Sequence, residues 1–186
     1  PSITRKAQTP IIPQAKKEKP FFLYLALPSH HTPLAPDKSF QGKSGMTAYG
    51  DYVMETDWAV GQVMKTLDSM KISDNTIVFF TSDNGCTPSV LGKYRLEKSG
   101  HYPSYIFRGY KSDIWDGGHR IPFIVRWPGT TPAGTVSNAL VSLTDFMATC
   151  ADILKTKLPD EAAVDSYTIL PALKNDLRNQ LRPAIV

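Results

Sequence analysis

The feature that most constrains the fold is an alternation of short apolar runs with one long helical stripe. FFLYLAL, Phe21 to Leu27, and TIVFF, Thr76 to Phe80, flank a stretch from Thr47 to Met70. In that stretch Val53, Val60, Val63, Met64, Leu67 and Met70 recur mostly at three- and four-residue steps. Such spacing lays them along one face of an amphipathic helix. The flanking runs are rich in aromatic and branched residues, as strands covered on both faces are. Parallel neighbours need a crossover, so strand, long helix, strand predicts a βαβ unit and an α/β fold.

Downstream, IPFIVRWPG predicts a third strand ended by a Pro-Gly turn. SLTDFMATCADIL predicts a helix, with Ser142 and Asp145 at capping-box spacing and Phe146, Cys150, Ile153 and Leu154 on one face. Cys150 is therefore expected as a core residue. Residues 155–176 read as a loop followed by a short helix, and the final LRPAIV as an incoming strand.

Bulk properties narrow the function. The chain has 186 residues, 41% hydrophobic and 20% charged, enough for one globular domain. Its net charge of +4 comes largely from clusters such as KKEK at Lys16 to Lys19. No run of basic residues interleaved with aromatics occurs, so no nucleic-acid partner is expected. The cysteines, Cys86 and Cys150, have no CxxC spacing, which argues against a disulfide framework or a structural zinc. FFLYLAL falls far short of the roughly 18 apolar residues of a membrane helix, so no membrane span is expected. Residues 1–18 have prolines and charges without an apolar period and read as a connector, and both ends read as cut.

Polar clusters lie just beyond the apolar runs, where open α/β sheets bind ligands. His30 and His31 follow the first run, Asp83 and Asn84 the second, and the segment RGYKSDIWDGGHR carries Lys111 into the third. Asp83 and Asn84 offer hard oxygens suited to Ca²⁺ or Mg²⁺, with Gly85 read as permitting a sharp turn. Two side chains cannot complete such a shell, and SDNG is also ordinary turn sequence. His31 titrates near neutral pH and suits binding an anion or donating a proton to a leaving group; a loop histidine satisfied by backbone is the alternative. Lys111 suits an oxyanion as a compact point charge, with a solvated surface lysine as the alternative.

In this order, KPFFLYLALPSHHTPLAP, TIVFFTSDNG, GYKSDIWDGGHRIPFIVRWPG and LTDFMATCADIL resemble the later part of the catalytic domain of the type I, formylglycine-dependent sulfatases. The resemblance covers most of Lys19 to Leu173 and is nearest the arylsulfatase or N-acetylgalactosamine-6-sulfatase-like branch. It implies an alkaline-phosphatase-like fold, a mixed, mainly parallel sheet with helices on both faces, present here as a partial domain. It implies a connector over 1–18, the later catalytic domain over 19–173, and a truncated C-terminal segment from 174 to 186. It also implies hydrolysis of a sulfated small molecule or carbohydrate, Asp83 and Asn84 as ligands of Ca²⁺ or Mg²⁺, and Lys111 and His31 as catalytic, substrate-binding residues. A secreted, periplasmic or lysosomal compartment follows from the same resemblance.

One departure stands out. The family nucleophile arises in a CxPxR or SxPxR motif upstream of the region matched here. The nearest approach is Cys86-Thr87-Pro88-Ser89-Val90, with Val90 in place of arginine and at the wrong point in the chain. Cys86 is read as a loop cysteine beside the site, and the formylglycine is expected outside these residues, in a missing N-terminal portion. On that reading the chain is inactive alone. The alternatives are a phosphatase or phosphodiesterase of the same superfamily, and a non-catalytic sulfatase-like domain. Roles for His30, Cys86, His101 and His119 stay open.

Overall fold

A computed structural model of the chain describes residues 2–17, 19–88, 93–98, 100–176 and 181–185. They fall into two compact units, one formed by Pro1–Ser73 and Ser82–Pro122, the other by Asp74–Thr81 and Phe123–Val186.

The first unit is organised by helix α2, Ala48–Ser69. Its N-cap is Thr47, whose hydroxyl accepts the Tyr49 N–H at 3.3 Å, and Met70 closes it, in agreement with the apolar stripe. The buried face is not the stripe alone. It holds Tyr49, Asp51, Thr56, Ala59, Thr66 and Leu67, while Val53 is exposed. Thr56 and Thr66 can be buried because their hydroxyls donate to the carbonyls of Tyr52 at 2.9 Å and Gln62 at 2.8 Å.

Asp51 shows how the helix start holds its preceding loop. One carboxylate oxygen accepts the Gly42 N–H at 2.7 Å and the other the Ser44 N–H at 2.9 Å. Hydrogen bonds from the Ser44 side chain and amide and from Gly42 hold this carboxyl below its ordinary range. A carboxyl depressed by folding contributes stability above its unfolded value, lost as pH falls through the folded one. The acid limb of a stability-versus-pH curve is therefore expected to flatten in Asp51→Asn below the ordinary aspartate value of 3.8. An acid limb identical to that of the parent would refute the assignment.

Helix α1, Ser2–Gln14, lies where a connector was expected, despite Pro10 and Pro13. Tertiary contact overrides the weak local propensity: Ile11 is fully buried and the Gln8 amide donates to Thr66 Oγ1 at 2.9 Å. Residues 21–28 belong to no ladder, with Phe22 84% and Tyr24 81% exposed. The expected doubly covered strand is thus a segment outside any ladder, half-buried and exposed by turns; an apolar run does not by itself specify a hydrogen-bonding neighbour. Helices α3, Lys93–Lys98, and α4, Asp116–His119, interrupt the long segment before residue 122.

In the second unit β1, Val78–Thr81, pairs with β2, Phe123–Arg126, in the register Phe79↔Val125 and Thr81↔Phe123. This ladder, the one among the described residues, is antiparallel. The βαβ expectation concerned the runs on either side of α2, and the first of these is unpaired, so the crossover argument does not govern this pair. Helix α5, Phe146–Ile153, follows a 3₁₀ turn at Leu143–Asp145 with the expected Ser142/Asp145 capping box. Phe146 meets Phe79 edge-on at 5.0 Å and Phe123 at 5.9 Å, so one aromatic cluster joins helix to ladder. Cys150 is half-buried, whereas Leu154, expected on the same face, is 70% exposed because α5 ends at Ile153. The short helix α6 spans Leu170–Leu173.

The expected terminal strand is absent among residues 181–185. Arg182 is instead buried, its guanidinium bonded to the fully buried Asp145 carboxylate and lying over the Tyr167 ring at 4.6 Å. An arginine with a buried carboxylate and an aromatic face available gains more there than in a solvated strand.

Candidate active site

Asp83 and Asn84 lie just past the end of β1, in a bend. Asp83 is exposed and Asn84 half-buried. The Asn84 amide nitrogen donates to the Gly85 carbonyl at 3.0 Å, which leaves Oδ1, a hard oxygen, as the atom suited to a cation. Two oxygen donors fit part of a Ca²⁺ or Mg²⁺ shell. Among the described residues no group of three or more His, Cys, Asp or Glu side chains converges to complete one.

The loop carrying Lys111 is bound to this bend through the backbone. Lys111 N–H donates to the Cys86 carbonyl at 2.8 Å, and Gly85 N–H to the Gly118 carbonyl at 2.8 Å. The reason for glycine at 85 is close approach rather than a turn. A Cβ there would meet the Gly117 carbonyl oxygen at 1.9 Å, one at Gly117 the Gly109 oxygen at 2.1 Å, and one at Gly118 the Asp113 oxygen at 2.2 Å. The GG of DGGH is therefore a close backbone crossing between the segment that follows Asn84 and the loop that carries Lys111. Lys111 itself is half-buried, in a turn closed by Asp113 N–H to the Tyr110 carbonyl at 2.9 Å, with Ser112 at φ 76.

Gly117→Ala is expected to lower stability by about 1–3 kcal/mol, the usual cost of overpacking. A thermal midpoint equal to that of the parent would show that the loops do not cross at this point.

The histidine pair divides. His31 is exposed, with Nδ1 2.8 Å from the Thr32 carbonyl and its N–H bonded to the Pro28 carbonyl, so these contacts stay within its own loop. His30 is half-buried, its ring edge-on to Tyr49 at 5.0 Å, and its buried Nδ1 has no hydrogen-bond partner among the described residues. Burial pushes the His30 imidazole below its ordinary value, opposed by the Asp83 carboxylate within electrostatic reach. Asp83, Asn84, Lys111 and His30 are thus gathered in one unit, with His31 at its exposed margin. Of the remaining histidines, His119 lies 3.9 Å from Asp116 within α4.

Two residues that motif reading passed over hold this arrangement. Tyr49 and Leu96 form a buried cluster against which Leu34, Cys86 and Tyr110 pack. The Cys86 thiol donates to the Tyr49 hydroxyl at 3.7 Å. Burial raises both the Tyr49 phenol and the Cys86 thiol above their ordinary values, which keeps Cys86 protonated near neutrality and a poor nucleophile. The Thr56 hydroxyl of α2, whose proton goes to the Tyr52 carbonyl, accepts from the Ser29 hydroxyl at 2.8 Å, fastening the histidine loop. Tyr49 and Thr56 stand two turns apart on α2, a spacing that signals a shared face in the sequence.

Comparison with known proteins places the chain in context. A family model described as Sulfatase matches residues 2–156. An N-acetylgalactosamine-6-O-sulfatase of Bacteroides thetaiotaomicron is 43% identical over 92% of this chain and 33% of that protein. An arylsulfatase of Hemicentrotus pulcherrimus is 42% identical over 83% of the chain and 26% of its own length. A solved 6S-sulfatase structure from work on glycosaminoglycan metabolism by Bacteroides thetaiotaomicron superposes with a TM-score of 0.83 at 41% identity, covering 92% of this chain and 36% of that one. The chain spans about a third or less of the length of these curated relatives.

Proposed function

The chain belongs to the sulfatase family and has its alkaline-phosphatase-like α/β fold, and from that premise we propose that the protein hydrolyses sulfate esters at the site built around Lys111. The observation that carries the reading is the pair of backbone bonds that lock the Lys111 loop to the Asp83–Asn84 bend. Sulfate is a tetrahedral anion, and a cationic side chain fixed beside an acidic, amide-bearing bend suits it.

In this reading Lys111 holds a sulfate oxygen and neutralises charge as the ester S–O bond breaks. His31, at the exposed margin, donates a proton to the departing alkoxide oxygen. Asp83 and Asn84 would hold a divalent cation, Ca²⁺ or Mg²⁺, whose chemistry is Lewis-acid stabilisation of the sulfate oxygens. The formylglycine nucleophile belongs outside these 186 residues, which have no CxPxR or SxPxR motif, so the chain alone is expected to be inactive. The substrate class is a sulfated carbohydrate or small molecule, and a secreted, periplasmic or lysosomal setting goes with it. No helix of the described residues is long and apolar enough to cross a membrane.

The test is turnover by the full-length protein of nitrophenyl sulfate against nitrophenyl phosphate, before and after chelation. Sulfate turnover that EDTA abolishes and Ca²⁺ restores is the expected result. Preference for the phosphate ester would overturn the proposal in favour of a phosphatase of the same superfamily. Absence of turnover on both esters and on sulfated N-acetylgalactosamine would favour a non-catalytic domain.

A further inference from the structure

Three groups of interest sit on separate loops: the histidines near residue 30, Asp83 and Asn84, and Lys111. Something must set their spacing. Two of these loops reach the same side chain of α2, Tyr49, and the Lys111 loop is tied to the second of them through Cys86. His30 stacks edge-on against the Tyr49 ring at 5.0 Å. Cys86, two residues beyond Asn84, donates its thiol to the Tyr49 hydroxyl at 3.7 Å, with the Thr87 carbonyl a longer second acceptor at 3.9 Å. The same cysteine accepts the Lys111 N–H on its carbonyl at 2.8 Å, and Tyr110 packs against the Tyr49–Leu96 cluster. Tyr49 is itself buried in the first turn of α2, behind the Thr47 cap.

We infer that Tyr49 and Cys86 are positioning residues, a hydroxyl–thiol clasp that fixes Lys111 and the Asp83–Asn84 bend at working distance while touching no substrate. The inference rests on the sulfatase reading for what the positioned groups do, but not for the clasp itself. Cys86 then has a role that needs no conversion to an aldehyde. The thiol works as a donor of suitable length, and its carbonyl works as the tie to Lys111. Displacement of a catalytic group by about 1 Å can lower a rate by about a hundredfold, so a clasp outside the reacting shell has ample leverage on turnover.

The experiment uses the full-length protein. Tyr49→Phe and Cys86→Ala each break the clasp and keep most of the packing, and kcat is expected to fall about tenfold or more in each, with little change in KM. Cys86→Ser restores a donor, and its kcat is expected to lie within about threefold of the parent. Because both single changes remove one contact, the Tyr49→Phe/Cys86→Ala double variant should be no slower than the slower single variant. Parental kcat in both single variants, strictly multiplicative losses in the double variant, or no recovery with serine would each overturn the inference.

A second readout keeps the clasp testable if the parent turns over no sulfate ester. Peptide mapping of iodoacetamide labelling should show Cys86 protected in the parent and labelled faster in Tyr49→Phe. Equal labelling in the two proteins would overturn the clasp, as would recovery of residue 86 as an aldehyde. Loss of sulfate turnover together with intact Cys86 protection would instead count against the sulfatase reading alone.

Discussion

Lys111→Ala in the full-length protein is expected to lower kcat for a sulfate ester by about a hundredfold to a thousandfold, the usual cost of removing one group that stabilises developing charge. The Lys111 backbone is fixed by the Cys86 carbonyl and by the turn closed between Tyr110 and Asp113, so truncating the side chain leaves the loop in place. The effect should fall on kcat more than on KM, because the ammonium gains most where charge accumulates on the sulfate oxygens. Lys111→Arg keeps the charge in a broader, planar group and is expected to recover only part of the rate. A rise in KM with kcat unchanged would demote Lys111 to a ground-state binding residue.

Asp145→Ala is expected to cost about 3–5 kcal/mol, the typical penalty for leaving one partner of a buried ion pair alone. The carboxylate also accepts the backbone N–H groups of Ser142 at 2.7 Å and Tyr167 at 3.0 Å, so it holds the start of α5, the loop before α6 and Arg182 together. In urea the midpoint should drop by about 1–3 M with little change in slope. Adding Arg182→Met should restore part of the loss by removing the stranded charge, while the two backbone donors stay unpaired. A midpoint within error of the parent for Asp145→Ala would mean that this pair is solvated in solution.

The two expectations differ in how they could be reached. Lys111 was singled out as a candidate because it stands in an ordered set of motifs, and the Ser142/Asp145 capping box was legible because it is a local spacing. Arg182 was not legible. It lies far along the chain from Asp145, in letters that read as a strand, and no local pattern announces a partner at that separation. Gly85 was singled out for a turn, but its need for glycine comes from the carbonyl of Gly117 arriving from another loop. Tyr49 reads as one more helix residue until its ring and hydroxyl are seen to meet His30 and Cys86.

The sequence by itself determined the extent of α2, the Ser142/Asp145 capping box, the candidate groups on their loops and the membership of a family, since periodicity, capping spacing and ordered motifs are local or linear properties. Only the tertiary structure decided that β1 and β2 pair antiparallel, that residues 21–28 join no ladder, that His30 rather than His31 turns inward, and that Gly85 and Gly117 pass within a carbonyl's reach. Each of these depends on which distant segment supplies a hydrogen bond or excludes an atom, and burial and steric contact between remote residues leave no periodic mark in the chain.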